Sequence, residues 1–469
     1  MVRFWPQSTP IERPLCGRFA VALGLSILWL TAAAQEPEAP AAPPEDTETA
    51  VPAEESPASQ GTEAEIPSET HLTRLETQIV FLDLIEERRF EEALPYAEAM
   101  TELTEQEFGS PSTEVATAFT NLAYIQRSLR NFDESNEAFL AAIEMYREME
   151  GPFAASTINP LVSMGANYHA TGEYFQALNI FQEARTVNRR VFGLLNPDQV
   201  EIVYRIASTL ANLRRYEEAH QQQQDALRLM ERLHGSESLE ILPYIYRYAE
   251  WLASGFQFEA ARNQYLRAMG LISELDEPES GRLVEPLREM GNTFRLQKVA
   301  EGRGIGALRR ALEVAEAQSE PDVLELARVL RDIGDWYTAF SRVGPSGEEY
   351  LRAWELLGSL ENGEELREEW FDDGDGDYVL REYPSSRGVV DADEPGAVEG
   401  HVRIVFDIDV DGRPRNVNVL ESDPPGFKDA TMQRAIGRSR FRPRVVEGEL
   451  AYASGRVRNF TFHYIPDDE

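Results

Sequence analysis

One spacing constrains this chain more than any other feature. A small residue in one helical stretch, then an aromatic turn, then paired alanines recur along residues 72–360. The pattern is clearest at Met164-Gly165, Tyr168, Tyr174, Ala177, Phe181 and Ala184. It returns at Ala207, Tyr216, Ala219 and Ala226, and again at Ala249, Phe258, Ala261, Tyr265 and Ala268. The matching positions are 81, 123, 165, 207, 249, 291 and 334, a step of 42 residues with one step of 43. A period held through seven units predicts a stacked array of helix pairs, because each pair buries its apolar face only against its neighbours. Small residues are needed where two helices cross closely, and aromatics fill the space beside them. An array also accommodates 469 residues, too many for one compact core. Two units depart from the pattern. The first has Phe81 where a small residue is expected, and the sixth has Arg303 where alanine is expected. The sixth also reads Glu301-Gly302-Arg303-Gly304-Ile305-Gly306, a poor helix that predicts a distorted turn. A phosphate-binding glycine loop is discounted there, because no strand precedes it.

In these repeated positions the chain resembles the tetratricopeptide repeat family in its longer, 42-residue form. The resemblance implies a concave groove lined by the first helix of each pair. Matched to the family's groove positions, Tyr124, Arg127, His169, Tyr204, Asn212, Tyr246, Asn292 and Arg295 would hold an extended peptide or helix of a partner. The alternative for any one of them is an ordinary polar surface residue.

The N-terminus carries a different signal. Arg3, Arg13 and Arg18 precede an apolar stretch from Phe19 to Leu30, then Thr31-Ala32-Ala33-Ala34 and Gln35. This order describes a secretory signal peptide over 1–34, cut after Ala34. An uncleaved membrane anchor is the rival reading, although the stretch is short for a span of about 20 residues. Residues 35–70 hold ten acidic residues, no basic ones, seven prolines and seven alanines, the composition of a disordered linker. The single cysteine, Cys16, excludes a disulfide framework or a cysteine metal site within the chain. His71, His169, His220, His234, His401 and His463 are scattered and show no zinc-ligand spacing. A net charge of -37 repels nucleic acid, so that partner class is set aside.

Residues 361–382 lose the period and read as a second linker. The run Asp372-Asp373-Gly374-Asp375-Gly376-Asp377 is read as a solvated turn rather than a calcium loop. Beyond it the period becomes two. Val402, Ile404, Phe406, Ile408 and Val410 alternate with Asp407 and Asp409, predicting a half-buried strand. Asp411-Gly412 supplies a hairpin turn, and a second strand runs through Val417 and Val419. A short helix fits Phe427 to Ile436, and Phe460, Phe462 and Tyr464 alternate in a last strand. Asp407-x-Asp409-x-Asp411-Gly412 begins like an EF-hand loop. Pro414 and Asn418 stand where that loop needs an aliphatic residue and a bidentate glutamate, so calcium is rejected.

Taken in order, Tyr383-Pro384, Glu399-Gly400, Asp411-Gly412, Ser422, Ala435-Ile436, Phe441-x-Pro443, Glu447-Gly448 and the closing aromatics resemble the C-terminal domain of the TonB family over residues 383–469. Ser439 departs from the aromatic usual before Phe441-x-Pro443. The expected fold class is therefore mainly α: a seven-unit tetratricopeptide α-solenoid over 72–360, followed by a small α+β TonB-like domain. The resemblance implies binding of outer-membrane TonB-dependent receptors, whose peptide adds as a strand. The last strand, with Phe460, Phe462 and Tyr464, is the implied docking edge; the alternative is that these aromatics are core. Arg434, Arg438, Arg440, Arg442 and Arg444, with no interleaved acid, suit an acidic partner or the acidic array itself.

No Gly-x-Ser-x-Gly, His-Glu-x-x-His or strand-borne phosphate loop is found, so the chain is expected not to be an enzyme and to need no cofactor. The first functional expectation is an exported, periplasmic cell-envelope interaction protein with an unidentified peptide in its repeat groove. The second is a TonB-type energy transducer for transport across the outer membrane. In that family the anchor carries a Ser and His pair. Here Ser26 is present without a histidine, and cleavage would remove the segment. A structural spacer in envelope assembly is a third.

Overall fold

The computed structural model describes residues 73–299, 302–340, 343–371, 378–390 and 394–466. The expected signal segment, the acidic linker and the Asp372–Asp377 run lie outside them. The described residues form seven antiparallel helix pairs. The pairs are α1 (Arg74–Glu86) with α2 (Phe90–Phe108), α3 (Thr113–Ser128) with α4 (Phe132–Glu150), and α5 (Ile158–Ala170) with α6 (Tyr174–Phe192). They continue as α7 (Gln199–Asn212) with α8 (Tyr216–His234), α9 (Leu242–Ser254) with α10 (Phe258–Leu275), α11 (Val284–Leu296) with α12 (Gly302–Glu316), and α13 (Val323–Ala339) with α14 (Val343–Leu357). Two compact bodies divide these elements, one reaching Leu229 and one running from Met230 onward.

In the first body the repeated small positions do what their size predicts. Ala123 and Ala207 are fully buried, and a Cβ added to Gly165 would stand 2.7 Å from the Phe181 ring. Phe81, the exception, is buried as well. A further 42-residue rhythm lies in the turns. Arg88, Arg130, Gly172 and Arg214 have left-handed φ values of 59°, 64°, 83° and 58°. The residue after each donates its N–H back to the helix, as Arg89 does to the Leu84 carbonyl at 2.8 Å. This closes each first helix with a Schellman motif. Gly109, Gly151 and Gly193, also left-handed, end the second helices.

The second body continues the rhythm with Phe256 and Lys298 in the left-handed turns and Ala249 buried. Its sixth pair corrects one expectation. Helix α12 starts at Gly302 and runs straight through Gly304 and Gly306, so no distorted turn stands there among the described residues. The physical reason is packing. A Cβ at Gly304 would lie 2.3 Å from the Trp336 ring and 2.9 Å from Phe294 Cβ. The glycine admits a neighbouring helix rather than bending its own.

Residues 361–382 hold α15 (Gly363–Phe371), with Trp370 and Phe371 buried, and β1 (Tyr378–Leu380). The rest comprises β2 (Val398–Ile408), β3 (Pro414–Asp423), α16 (Asp429–Arg438), β4 (Arg440–Phe441), β5 (Arg444–Val446), β6 (Glu449–Ala451) and β7 (Ala453–Tyr464). The main sheet is antiparallel in the order β3-β2-β7, while β1 pairs with β4 and β5 with β6. Val402, Ile404, Phe406 and Ile408 all point inward, as the period of two requires, and meet Met432 and Ile436 of α16. The β2–β3 turn is held by Asp409, whose Oδ1 accepts from the N–H groups of Asp411 and Arg413 at 3.0 and 2.9 Å. Asp407 accepts from Asn416, Tyr452 and the Gly455 N–H. Both carboxylates are thus occupied by donors of the hairpin and of the chain at the start of β7.

Candidate protein-interaction surfaces

Strand β7 is an edge. On one side it pairs with β2 over ten positions, from Val398↔Tyr464 to Ile408↔Ala453. On the other side, among the described residues, a single bridge joins Val390 to His463. The Val390 N–H donates to the His463 carbonyl at 2.9 Å, so His463 faces away from β2. Backbone groups alternate sides along a strand, which turns the N–H and C=O of Val457, Asn459 and Thr461 outward too.

The three aromatics predicted on this strand have separate surroundings. Phe462 is buried in the domain core, with its ring 5.8 Å from Phe427. Phe460 is half-buried against the same core, opposite Val402. Tyr464 packs on Phe427 at 5.3 Å. What β7 leaves available is therefore chiefly backbone.

The groove residues also separate. In the first body His169 and Asn212 meet across two repeats: Asn212 Nδ2 lies 2.9 Å from His169 Nε2. Burial, helped by Arg205, lowers the His169 pKa, so the neutral ring accepts from the amide. Tyr124 takes a hydrogen bond from Ser163 Oγ at 3.4 Å and meets the Phe139 ring edge-on, and Arg127 is half-buried beside it on α3. Tyr204 is buried. In the second body Tyr246 is buried against Tyr265, and its hydroxyl pKa is raised by that burial.

Asn292 and Arg295 are buried for a different reason. Asn292 Nδ2 donates to Asp332 Oδ2 at 2.8 Å, which Arg288 also reaches at 2.8 Å. Arg295 Nη1 donates to the Val379 carbonyl of β1. Next to it Lys298 pairs with Glu382, and the Phe256 ring meets Tyr383 edge-on at 6.1 Å. The chain's own segment from Tyr378 to Tyr383 thus lies on Arg295, a position that the family resemblance assigned to a partner.

Arg442 of the basic run reaches the array. Arg442 grips Asp335 of α13 with both arms of its guanidinium, Nη2 to Oδ2 at 2.9 Å and Nε to Oδ1 at 3.1 Å, and both side chains are buried. The Tyr350 hydroxyl donates to Asp335 at 2.9 Å, and Arg442 Nη1 donates to the Trp370 carbonyl at 3.2 Å. Burial alone would raise the Asp335 carboxyl. Arg442 and Arg295 together outweigh it and hold the group below its ordinary range. Ser439, the departure from the family's aromatic, is buried; its hydroxyl donates to the Ala435 carbonyl and accepts from the Glu382 N–H. The basic run was expected to suit the acidic array, but the particular partners were not visible in the sequence, because each tie joins residues more than fifty positions apart.

No helix among the described residues is long and apolar enough to cross a membrane, and no cluster of His, Cys, Asp or Glu there is arranged to hold a metal.

Comparison with known proteins agrees with this architecture. Residues 115–153 and 156–232 match the Tetratricopeptide repeat family, and residues 396–464 match the Gram-negative bacterial TonB protein C-terminal family. A curated relative, the Clustered mitochondria protein homolog of Candida albicans, is 27% identical over 124 residues, 25% of this chain. The chain spans 9% of that relative's length. Among solved structures, BtubC (BKLC) from P. vanneervenii is 17% identical with a TM-score of 0.38, covering 49% of this chain and 91% of its own. A tetratricopeptide repeat protein from Parabacteroides merdae is 17% identical with a TM-score of 0.36, covering 64% of this chain and 97% of its own. The chain thus carries tetratricopeptide repeats at residues 115–232 and a TonB-type C-terminal domain at residues 396–464, the two modules of a protein-interaction scaffold.

Proposed function

We propose that this protein is an exported cell-envelope scaffold whose C-terminal domain takes up a partner peptide as an added strand on β7. The supporting observation is the outward backbone edge at Val457, Asn459 and Thr461; among the described residues its one strand bridge is at His463, and the Val457 carbonyl accepts from Arg458 Nη1 at 3.3 Å. Strand addition draws its affinity from such main-chain donors and acceptors. The partner class is an outer-membrane TonB-dependent receptor presenting an extended segment.

Thr461→Pro tests this reading without dismantling the sheet. Proline at 461 removes an N–H that faces away from β2 and leaves the β2 ladder intact. Binding of purified outer-membrane transporters, read by surface plasmon resonance, should fall at least about tenfold, with an unchanged thermal midpoint. Undiminished binding would contradict strand addition. Phe462→Ala is the poorer probe, since truncating a buried phenylalanine costs about 3–5 kcal/mol of stability and confounds folding with docking.

Export rests on the basic, apolar and Ala-rich order of residues 1–34. N-terminal sequencing of the mature protein should begin at Gln35. A chain still starting at Met1 would favour the anchored energy-transducer reading instead.

A further inference from the structure

Resting on the strand-addition reading, we propose that the β7 edge selects an acidic strand: an extended segment with carboxylates at alternate positions, seated beside Arg456 and Arg458, and an apolar residue beside Phe460. Residues on one face of a strand recur every second position. Arg456, Arg458 and Phe460 therefore share a face, and β2 places Phe406, Ile404 and Val402 opposite them in that order. Side chains of an added strand on this face fall directly beside the same three residues, where opposite charges attract and an apolar pair packs.

The cations on this face are held in place. The Arg458 guanidinium lies 5.6 Å from the centre of the Tyr378 ring, and Arg381 lies 5.1 Å from the same ring and 5.2 Å from that of Tyr383. Arg458 Nη1 also donates to the Val457 carbonyl at 3.3 Å; a guanidinium held this way keeps its charge and loses little further freedom on meeting a carboxylate with its remaining donors. Arg456 buries its Nε with no hydrogen bond among the described residues. The wider field has the same sign. Residues 398–466 carry 11 Lys and Arg against 9 Asp and Glu, a net +2 within a chain whose total is -37. The slight positive balance of this stretch suits an acidic peptide better than the strongly acidic chain as a whole does.

The experiment uses the full mature chain and three fluorescein-labelled decapeptides of one alternating Val/Thr scaffold, bearing Glu, Gln or Lys at alternate positions. Fluorescence anisotropy should show the Glu peptide binding roughly fivefold to tenfold tighter than the Gln peptide. The advantage should shrink as salt rises. It should vanish in Arg456→Gln/Arg458→Gln, where the Glu and Gln peptides should bind alike. Asn459→Pro, which removes an outward N–H, should abolish binding of every peptide. Equal binding of the three peptides, all lost in Asn459→Pro, overturns the acidic preference and leaves strand addition standing. A Glu advantage that persists in the double arginine variant also overturns it. Binding of the Glu peptide that survives Asn459→Pro overturns strand addition, and this proposal with it.

Discussion

Glu285 sits on α11 where burial pushes its carboxyl up to about 7, against the pull of Arg288 and with help from Glu289, Glu325 and Glu250. The folded state therefore favours the protonated form, while the unfolded chain ionises near the ordinary 4.5. The stability penalty is absent below that lower value, grows as pH rises toward 7, and is complete above it. Its full size is up to about 3 kcal/mol. Glu285→Gln should match the native protein near pH 4 and exceed it in urea-denaturation stability at pH 8. Equal stability of the two proteins at pH 8 would refute the buried-acid account. Asp332, three residues before the next α13 carboxylate, behaves oppositely. Burial would raise it, but Arg288, Arg331 and Arg295 hold it far below its usual range. It stays charged, and its contribution is lost only in strong acid.

At the scale of elements, glycines with the same sequence character have opposite roles. A Cβ at Gly334 would stand 2.6 Å from the Tyr350 ring, which cannot move aside because it is buried and its hydroxyl is bound to Asp335 and Thr338. Gly306, in the middle of α12, has nothing within 4 Å. Gly334→Ala should cost about 1–3 kcal/mol by overpacking, and Gly306→Ala should add up to about 1 kcal/mol through helix propensity. Thermal unfolding of both variants checks the contrast; equal shifts would contradict it. The repeat period made the helix pairs and their small crossing positions legible, because that spacing is local and recurs. Gly304 was misread because the ring it admits, Trp336, lies in the next pair. The left-handed turns at Arg88, Arg130 and Arg214 were illegible because arginine gives no turn signal. The β2 and β7 strands were legible from their alternation. That the last strand is an edge was implied by the family resemblance alone and not by the alternation, since strand order depends on pairings distant in sequence.

At the scale of the molecule, the TonB-type domain is not tethered loosely to the repeats that precede it. Arg442 is buried against Asp335, and a charge left alone in such a place costs about 3–5 kcal/mol. Arg295 and Lys298 hold the segment entering the domain. The last repeats thus serve as a seat for the domain, and the β7 edge is presented from a fixed base. Asn292 and Arg295, expected to face a partner, instead belong to this seat. His169 and Asn212, which do meet, stay on the first body. The central claim is that a partner adds as a strand to β7. Amide hydrogen exchange on the full chain, with and without a bound transporter segment, tests it most directly. The account predicts slowed exchange at Val457, Asn459 and Thr461, with little change at Arg458 and Phe460, which already face β2. Binding that leaves those three outward amides unprotected would contradict it.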